Sequence, residues 1–241
     1  MSDEYVSINY LFIKKFNPKF ISDLINYCLN IGCTTNKEGN VSLCNYSSKN
    51  TNWDIIFNSN ITDAIKSISK NNAGSFQLWY KDTDFMLQIN LKGKIDPNIQ
   101  HITISFDPLF FREYDESSRL FSEFNVKNTI ELSIELYKFT KALYVYGGRE
   151  NSISDEYNIK PTKDELIGGA VKNLFWINIL SPHFVKIIGR KKLLSAQTWK
   201  VEEMGDGGIL LILTPNPLNV NEVDKKKAEV ERHLGLGKWW K

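Results

Sequence analysis

The residues that could carry acid–base or nucleophilic chemistry are scattered along this sequence. Each of the three histidines, His101, His183 and His233, stands alone, and the chain has no Gly-x-Ser-x-Gly, His-Glu-x-x-His or Cys-x-x-Cys pattern. A catalytic site can still be assembled from residues far apart in sequence, so the missing motifs do not exclude an enzyme by themselves. Because none of these motifs is present, we nevertheless expect a protein without catalytic residues. A small cytoplasmic enzyme, either a hydrolase or a nucleotide-handling protein, is the alternative.

The candidate sites for phosphate and metal ions are equally weak. Gly147-Gly148-Arg149 and Gly168-Gly169 have the composition of phosphate-binding loops, but no Lys-Ser/Thr follows them, so they are more typical of loop hinges. Residues 88–92, Gln-Ile-Asn-Leu-Lys, lack the carboxylate that a nuclease metal site requires. The three cysteines have no histidine near them in sequence to complete a zinc site. We expect no metal, no cofactor and no small-molecule substrate.

Residues 110–124 combine carboxylates with aromatic rings, a pairing that suits noncovalent binding. Aromatic side chains supply contact area, and the carboxylates beside them attract a surface lined with Lys and Arg. A second polar segment lies between Gly147-Gly148 and Gly168-Gly169, and connections of that length are commonly functional or mobile. The alternative is a solvated helix face whose aromatic rings point into the core. The candidate binding residues are Glu113, Tyr114, Asp115 and Glu116 in the first segment and Arg149, Glu150, Asp155, Glu156 and Tyr157 in the second.

Composition and charge restrict the class of protein. A chain of 241 residues that is 42% hydrophobic and 12% aromatic can bury a substantial core, so we expect one domain over residues 1–241, with a subdivision near 147–170 as an alternative. The net charge of +2 argues against a general nucleic-acid binder, which would carry a strong basic excess. The first residues lack a signal-peptide pattern, and no apolar run approaches the roughly 18 residues of a membrane span. We expect a cytoplasmic protein with no membrane contact.

Three helices that must position these residues have clear signals. Asn17-Pro18 predicts a helix start, because asparagine is a favoured cap and proline suits the first helical position. Asn128 with Glu131 resembles a capping box and predicts a second helix running to about Ala142. A last helix is predicted to end at Gly235.

Strand signals are distributed over the whole chain. Alternating or continuous apolar residues predict strands over 5–14, 75–80, 85–92, 101–106 and 174–180. A hairpin is predicted around Gly205–Gly208, because an Asp-Gly step suits the positive φ angles of a tight turn. These signals predict an α+β fold, with mostly antiparallel sheet and packed helices. Two similar α/β halves remain an alternative, since the sequence shows no repeat that decides the question.

The C-terminal part contains Trp176, Asn178, Ser181, Pro182, Val185, Gly189, Arg190, Leu193–Ala196, Trp199, Val201–Glu203, Gly207 and Gly208. In these positions the chain resembles the immunity protein 52 family. The resemblance lies within residues 174–236 and implies an immunity protein that binds and neutralises a cognate secreted antibacterial toxin by stoichiometric inhibition. The implied partner is a nuclease, often of restriction-endonuclease-like fold, and the family is linked to polymorphic toxins and type VI secretion. None of the matching positions is a catalytic motif.

Overall fold

The fold is built on one antiparallel sheet. The structure is a computed structural model, and it describes residues 5–13, 17–35, 41–46, 53–59, 62–63, 65–66, 73–81, 83–90, 98–149 and 162–236. The strand order of the sheet is β10-β11-β9-β8-β1-β7-β6-β5-β3-β4, with β2 also paired to β5. The predicted α+β class is confirmed. The strands are β1 (Val6–Phe12), β2 (Cys33–Thr34), β3 (Val41–Tyr46), β4 (Trp53–Ser59), β5 (Ala73–Tyr80), β6 (Thr83–Asn90), β7 (Gln100–Phe106), β8 (Tyr144–Arg149), β9 (Ile177–Leu180), β10 (Lys200–Glu203) and β11 (Ile209–Ile212).

Helices lie on both faces of the central strands. One core holds Val6, Ile8 and Tyr10 of β1 together with apolar residues of α1 and α2. A second core, which includes Leu11 of β1, is completed by residues of α3, α4, α5 and α6. The helices are α1 (Pro18–Asn30), α2 (Glu116–Thr140), α3 (Lys163–Ile167), α4 (Pro182–Ile188), α5 (Arg190–Leu194) and α6 (Val220–Leu234), with a 3₁₀ turn at Pro108–Phe111.

Strand β1 is buried along its whole length. All seven of its residues are buried, because β7 and β8 flank it and cores cover both of its faces. The strand order also differs between the two sides of β1 and β8. It runs β1-β7-β6-β5 on one side and β8-β9-β11-β10 on the other. The strands of the two halves are therefore connected in different orders, although one sheet spans both halves.

Most of the predicted strands and turns are confirmed. The meander over 75–106 is present as β5, β6 and β7, and the C-terminal hairpin is present as β10 and β11. Gly207 has the positive φ of 88° that the hairpin turn was expected to need. Gly189 (φ 106°) and Gly235 (φ 67°) end their helices in the same way. Of the predicted strand over 174–180, only Ile177–Leu180 is a strand.

The predicted start of the long helix is wrong. Helix α2 begins at Glu116, twelve positions before Asn128, and is 25 residues long. The capping box is formed by Asp115 and Ser118. Asn128 lies inside the helix and is buried, where its Nδ2 donates to the Lys81 carbonyl over 3.3 Å. Asn128, which resembled a helix cap in the sequence, therefore makes a tertiary contact instead.

The predicted hinge at Gly147-Gly148 is also wrong. Both glycines lie within β8, opposite Ile8 and Ser7 of β1. A Cβ at Gly147 would lie 2.6 Å from the Ser7 carbonyl oxygen and 2.8 Å from the Ile8 Cα, so only glycine lets the two strands approach. Ser181 precedes Pro182 at the start of α4, but its buried hydroxyl makes no capping bond. Within the described residues, no helix is long and apolar enough to span a membrane.

Candidate protein-binding site

The candidate residues Glu113–Glu116 connect the end of β7 to α2. Asp107 begins the connection by accepting a bond from the Leu109 amide over 2.8 Å, and Pro108 takes the first position of the 3₁₀ turn. Phe111 is buried in the first core. Asp115 then starts α2, because its carboxylate accepts from the Ser118 amide at 2.7 Å while the Ser118 hydroxyl accepts from the Asp115 amide at 2.8 Å. This reciprocal pair fixes where the helix begins.

The first turns of α2 extend past the sheet. A helix of 25 residues is about 37 Å long, whereas a seven-residue strand such as β1 covers only about 23 Å. Thr83, the first residue of β6, donates to Asn125 Oδ1 and accepts from Asn128 Nδ2, and these two bonds mark where α2 reaches the end of the sheet. Residues 116–124 lie before that point and rest on the 3₁₀ turn, so one side of the helix faces solvent. We call residues 109–124 the overhang.

The overhang exposes an unusual amount of apolar surface. Tyr114 is 74% exposed, Leu120 58% and Phe121 49%, and Leu109 and Phe124 are about half exposed. These five are half of the ten exposed large hydrophobic residues in the described part of the chain, so the apolar exposure is concentrated here. Of the five aromatic residues in the segment, only Phe111 is fully buried. The reading in which the aromatic rings point into the core holds for Phe111 and not for Tyr114, Phe121 and Phe124.

Carboxylates border this apolar surface. Glu116 and Glu123 both contact Arg119, with N–O distances of 3.6 and 3.8 Å, and all three side chains are more than half exposed. The hydrogen bond from the Ser118 amide holds the pKa of Asp115 below its usual value, and the Ser118 hydroxyl adds to the effect. Asp115 is thus a carboxylate at neutral pH, next to the positive end of the α2 dipole.

Glu113 has a structural contact. Its Oε1 accepts from Asn216 Nδ2 over 2.6 Å and from the Ser122 hydroxyl over 3.3 Å. Asn216 also donates to the Phe111 carbonyl at 2.9 Å, and Trp176 Nε1 donates to the nearby Thr214 carbonyl. The segment between β11 and α6 is therefore hydrogen-bonded to the overhang through Asn216, and Glu113 accepts one of these bonds.

A buried polar face anchors the overhang to the sheet. The Thr83 hydroxyl donates to Asn125 Oδ1 over 2.7 Å, and Asn125 Nδ2 donates to the Phe110 carbonyl over 3.2 Å. One side chain of α2 thus connects the start of β6 and the 3₁₀ turn. The phenyl ring of Phe110 lies 6.1 Å from that of Phe121, so the 3₁₀ turn is continuous with the exposed apolar surface. Neither Asn125 nor Asn216 stood out in the sequence, where an isolated asparagine gives no sign of its partner.

The second predicted segment begins at the same end of the sheet. Arg149, the last residue of β8, lies opposite Val6, and Val6 pairs on its other side with Phe106, the last residue of β7. The chain therefore leaves β8 at the end of the sheet where the overhang starts. Glu150, Asp155, Glu156 and Tyr157 lie outside the described residues.

The strongest arrangement for catalysis in the described residues is Ser195 beside His233. The Ser195 hydroxyl lies 3.1 Å from His233 Nε2, but the same nitrogen lies 3.0 Å from the Lys192 carbonyl oxygen. A carbonyl can only accept, so a hydrogen bond to Lys192 requires the tautomer in which Nε2 carries the proton, and in that tautomer Nε2 does not accept from the serine. His183 Nε2 likewise lies 2.8 Å from the Ile167 carbonyl oxygen. In the described ranges, no three His, Cys, Asp or Glu side chains are grouped to hold a metal ion.

Cys28 and Cys33 are buried as free thiols at the junction of α1 and β2. Contact with Cys33, together with burial, raises the pKa of the Cys28 thiol. A buried neutral thiol packs as a small apolar group.

The fold is shared with a solved structure. A type VI secretion system (T6SS) protein of Pseudomonas aeruginosa is similar to this chain, with a TM-score of 0.58 over 96% of this chain and 72% of the other, at 10% sequence identity. At that identity the likeness establishes the fold alone. No family model and no curated protein matches the chain.

The positions that resemble the immunity protein 52 family have mostly architectural contacts. Trp176 is buried and donates to the Thr214 carbonyl over 2.8 Å, and a Cβ at Gly208 would lie 2.6 Å from the Tyr137 hydroxyl. Arg190 binds the Glu203 carboxylate through two nitrogens. Trp199 is the exception, since about half of its surface is exposed. These positions maintain the C-terminal half of the sheet and lie outside the overhang.

Proposed function

We propose that this chain is an immunity protein, which binds and neutralises a cognate secreted antibacterial toxin by stoichiometric inhibition. The observation that carries the proposal is the overhang, an exposed aromatic surface bordered by carboxylates and supported by buried polar contacts. Large exposed apolar patches with polar rims are typical of protein-binding surfaces. The C-terminal resemblance and the fold shared with a T6SS protein agree with a role in interbacterial competition.

A nuclease is the toxin class that fits this surface best. Clefts that hold nucleic acid are lined with Lys and Arg, because those residues neutralise the phosphate backbone. The carboxylates of Asp115, Glu116 and Glu123 could occupy the same positive field, while the aromatic rings exclude water. Inhibition would follow from occupation of the cleft and would require no chemistry from the chain. Cofactors, metal ions and catalytic residues have no part in this mechanism.

Co-expression tests the function directly. A bacterial host producing the toxin encoded beside the gene for this chain should grow when the chain is also produced, and the two proteins should co-purify as a complex. Adding this purified chain to the purified toxin should reduce the toxin's activity linearly, reaching zero at one equivalent of the chain. Inactivation by far less than one equivalent would instead support the enzyme alternative. Unreduced killing in the presence of well-folded chain would refute the proposal.

Charge reversal at Glu113, Asp115 and Glu116 is the simplest test of the candidate residues, but their roles differ. Glu113 supports the overhang through Asn216, and Asp115 caps α2. Reversal at either position would disturb the fold as well as the surface charge. Glu116→Lys, with an 84% exposed side chain, tests the surface charge with less disturbance. It should weaken toxin binding with a loss of stability of no more than about 1 kcal/mol, since it places a cation at the positive end of the α2 dipole.

A further inference from the structure

We propose that the overhang is the toxin-binding element and that it enters a protein cleft with an apolar floor and a rim of Lys and Arg. This inference rests on the proposed function and adds the surface and the chemistry of its partner. It extends the predicted residues Tyr114, Asp115 and Glu116 to include Leu120, Phe121, Phe124 and Glu123. The mode would be an amphipathic helix end placed in a groove.

Helical geometry places the apolar residues on one stripe. At about 100° per residue, Leu120, Phe121 and Phe124 fall within about 100° of arc. The ring contact between Phe110 and Phe121 extends the stripe onto the 3₁₀ turn, where Leu109 is also exposed. The apolar surface is therefore continuous across two elements, and its centre is aromatic. Aromatic residues at the centre of an interface commonly dominate its binding energy.

The acidic residues are placed to one side of that stripe. Glu116 and Glu123 lie on the flank that also carries Arg119, and Asp115 lies at the helix start. Residues 109–124 contain four acidic and two basic residues, whereas the whole chain has a net charge of +2. The overhang is thus acidic on a chain that is slightly basic. This contrast favours a basic partner over an uncharged one.

The same charge argues against a second copy of this chain as the occupant. Two overhangs brought face to face would place carboxylates opposite carboxylates, which is unfavourable at an interface. The helix end is also firmly held, because Asn125 and Ser122 bond to the 3₁₀ turn and Asn216 bonds to Glu113. A preorganised surface loses less entropy when it binds, which suits a tight inhibitor.

Affinity measurements on matched variants test the surface. Phe121→Ser with Phe124→Ser should raise the Kd for the toxin by at least about 30-fold, mainly through faster dissociation. Glu116→Lys with Glu123→Lys should slow association by about tenfold or more at low salt. The controls are Ile187→Ser on α4 and Asp224→Lys on α6, both at exposed positions outside residues 109–124. They should change the Kd by less than about twofold.

The outcomes separate this inference from the function. If the wild-type chain neutralises the toxin but both overhang variants bind within about threefold of it, the surface is wrong and the function stands. If the wild-type chain does not bind the toxin, the function itself fails. Hydrogen exchange on the wild-type complex gives a second readout that does not depend on how variants fold. Protection of residues 109–124 is expected, and unchanged exchange there would overturn the inference. A concentration-dependent dimer of the chain alone that Phe121→Ser abolishes would overturn the choice of partner.

Discussion

Single side chains decide whether the overhang is rigid. Asn125 accepts from Thr83 and donates to the Phe110 carbonyl, so one amide joins three segments that are far apart in sequence. Asn128 was read from the sequence as a helix cap because asparagine followed by glutamate three residues later has that pattern. The structure uses it as a buried bridge to Lys81 and Thr83. The partner that decides between these roles is about 45 positions away, where local pattern does not reach.

Asn125→Ala should destabilise the chain. The substitution leaves the Thr83 hydroxyl without its acceptor and the Phe110 carbonyl without its donor, and buried groups left unpaired cost about 1–3 kcal/mol. Urea unfolding measures the loss. Lys127→Ala, at an exposed position two residues later, is the control and should stay within about 0.5 kcal/mol of wild type. Thr83→Val should cost less in the Asn125→Ala background than in wild type, and equal costs would contradict the proposed coupling.

Elements determine where the candidate site can form. The predicted strands of the meander and the hairpin were recovered because alternation and turn residues are local signals. The first turns of α2 gave a weaker signal, since Ser118 replaces the more usual Glu or Gln of a capping box. Acidic and aromatic residues in 110–124 could be recognised from composition. Their exposure could not, because it depends on α2 extending past the sheet.

Gly147 provides the sharpest test of an element. Gly147→Ala would force a methyl group against the backbone of Ser7 and Ile8, and backbone atoms cannot rotate away as a side chain can. We expect a loss of at least about 2 kcal/mol, within the range for overpacked sites. Thermal and urea unfolding measure the loss.

Two other glycines complete the series. Gly148→Ala should cost less, because its nearest neighbour is the Trp176 Cβ at 3.4 Å. Gly205→Ala, with nothing within 4 Å, should stay within about 0.5 kcal/mol of wild type. Equal effects at Gly147 and Gly205 would mean that β1 and β8 do not approach as closely as described.

At the scale of the whole molecule, the sheet brings distant segments to one end. The register of β1 with β7 and β8 places the start of the overhang and the end of β8 at the same end of the sheet. Arg149, the first residue of the second predicted segment, therefore lies at the end of the sheet where the first segment starts. The fold class was predictable from element order, but the sheet order was not, since it depends on pairings between strands far apart in the chain.

The distribution of charge over the molecule leads to a prediction whose sign is diagnostic. A net charge of +2 would repel a basic toxin, so association governed by total charge should become faster as salt screens the repulsion. Association governed by the acidic overhang should become slower, because salt screens an attraction. We expect the slower association, with the rate falling several-fold between about 50 and 500 mM salt. Stopped-flow mixing with a nuclease toxin measures it. Glu116→Gln with Glu123→Gln should flatten the dependence, whereas Asp224→Asn should leave it unchanged. Faster association at high salt would show that the overhang does not guide the encounter.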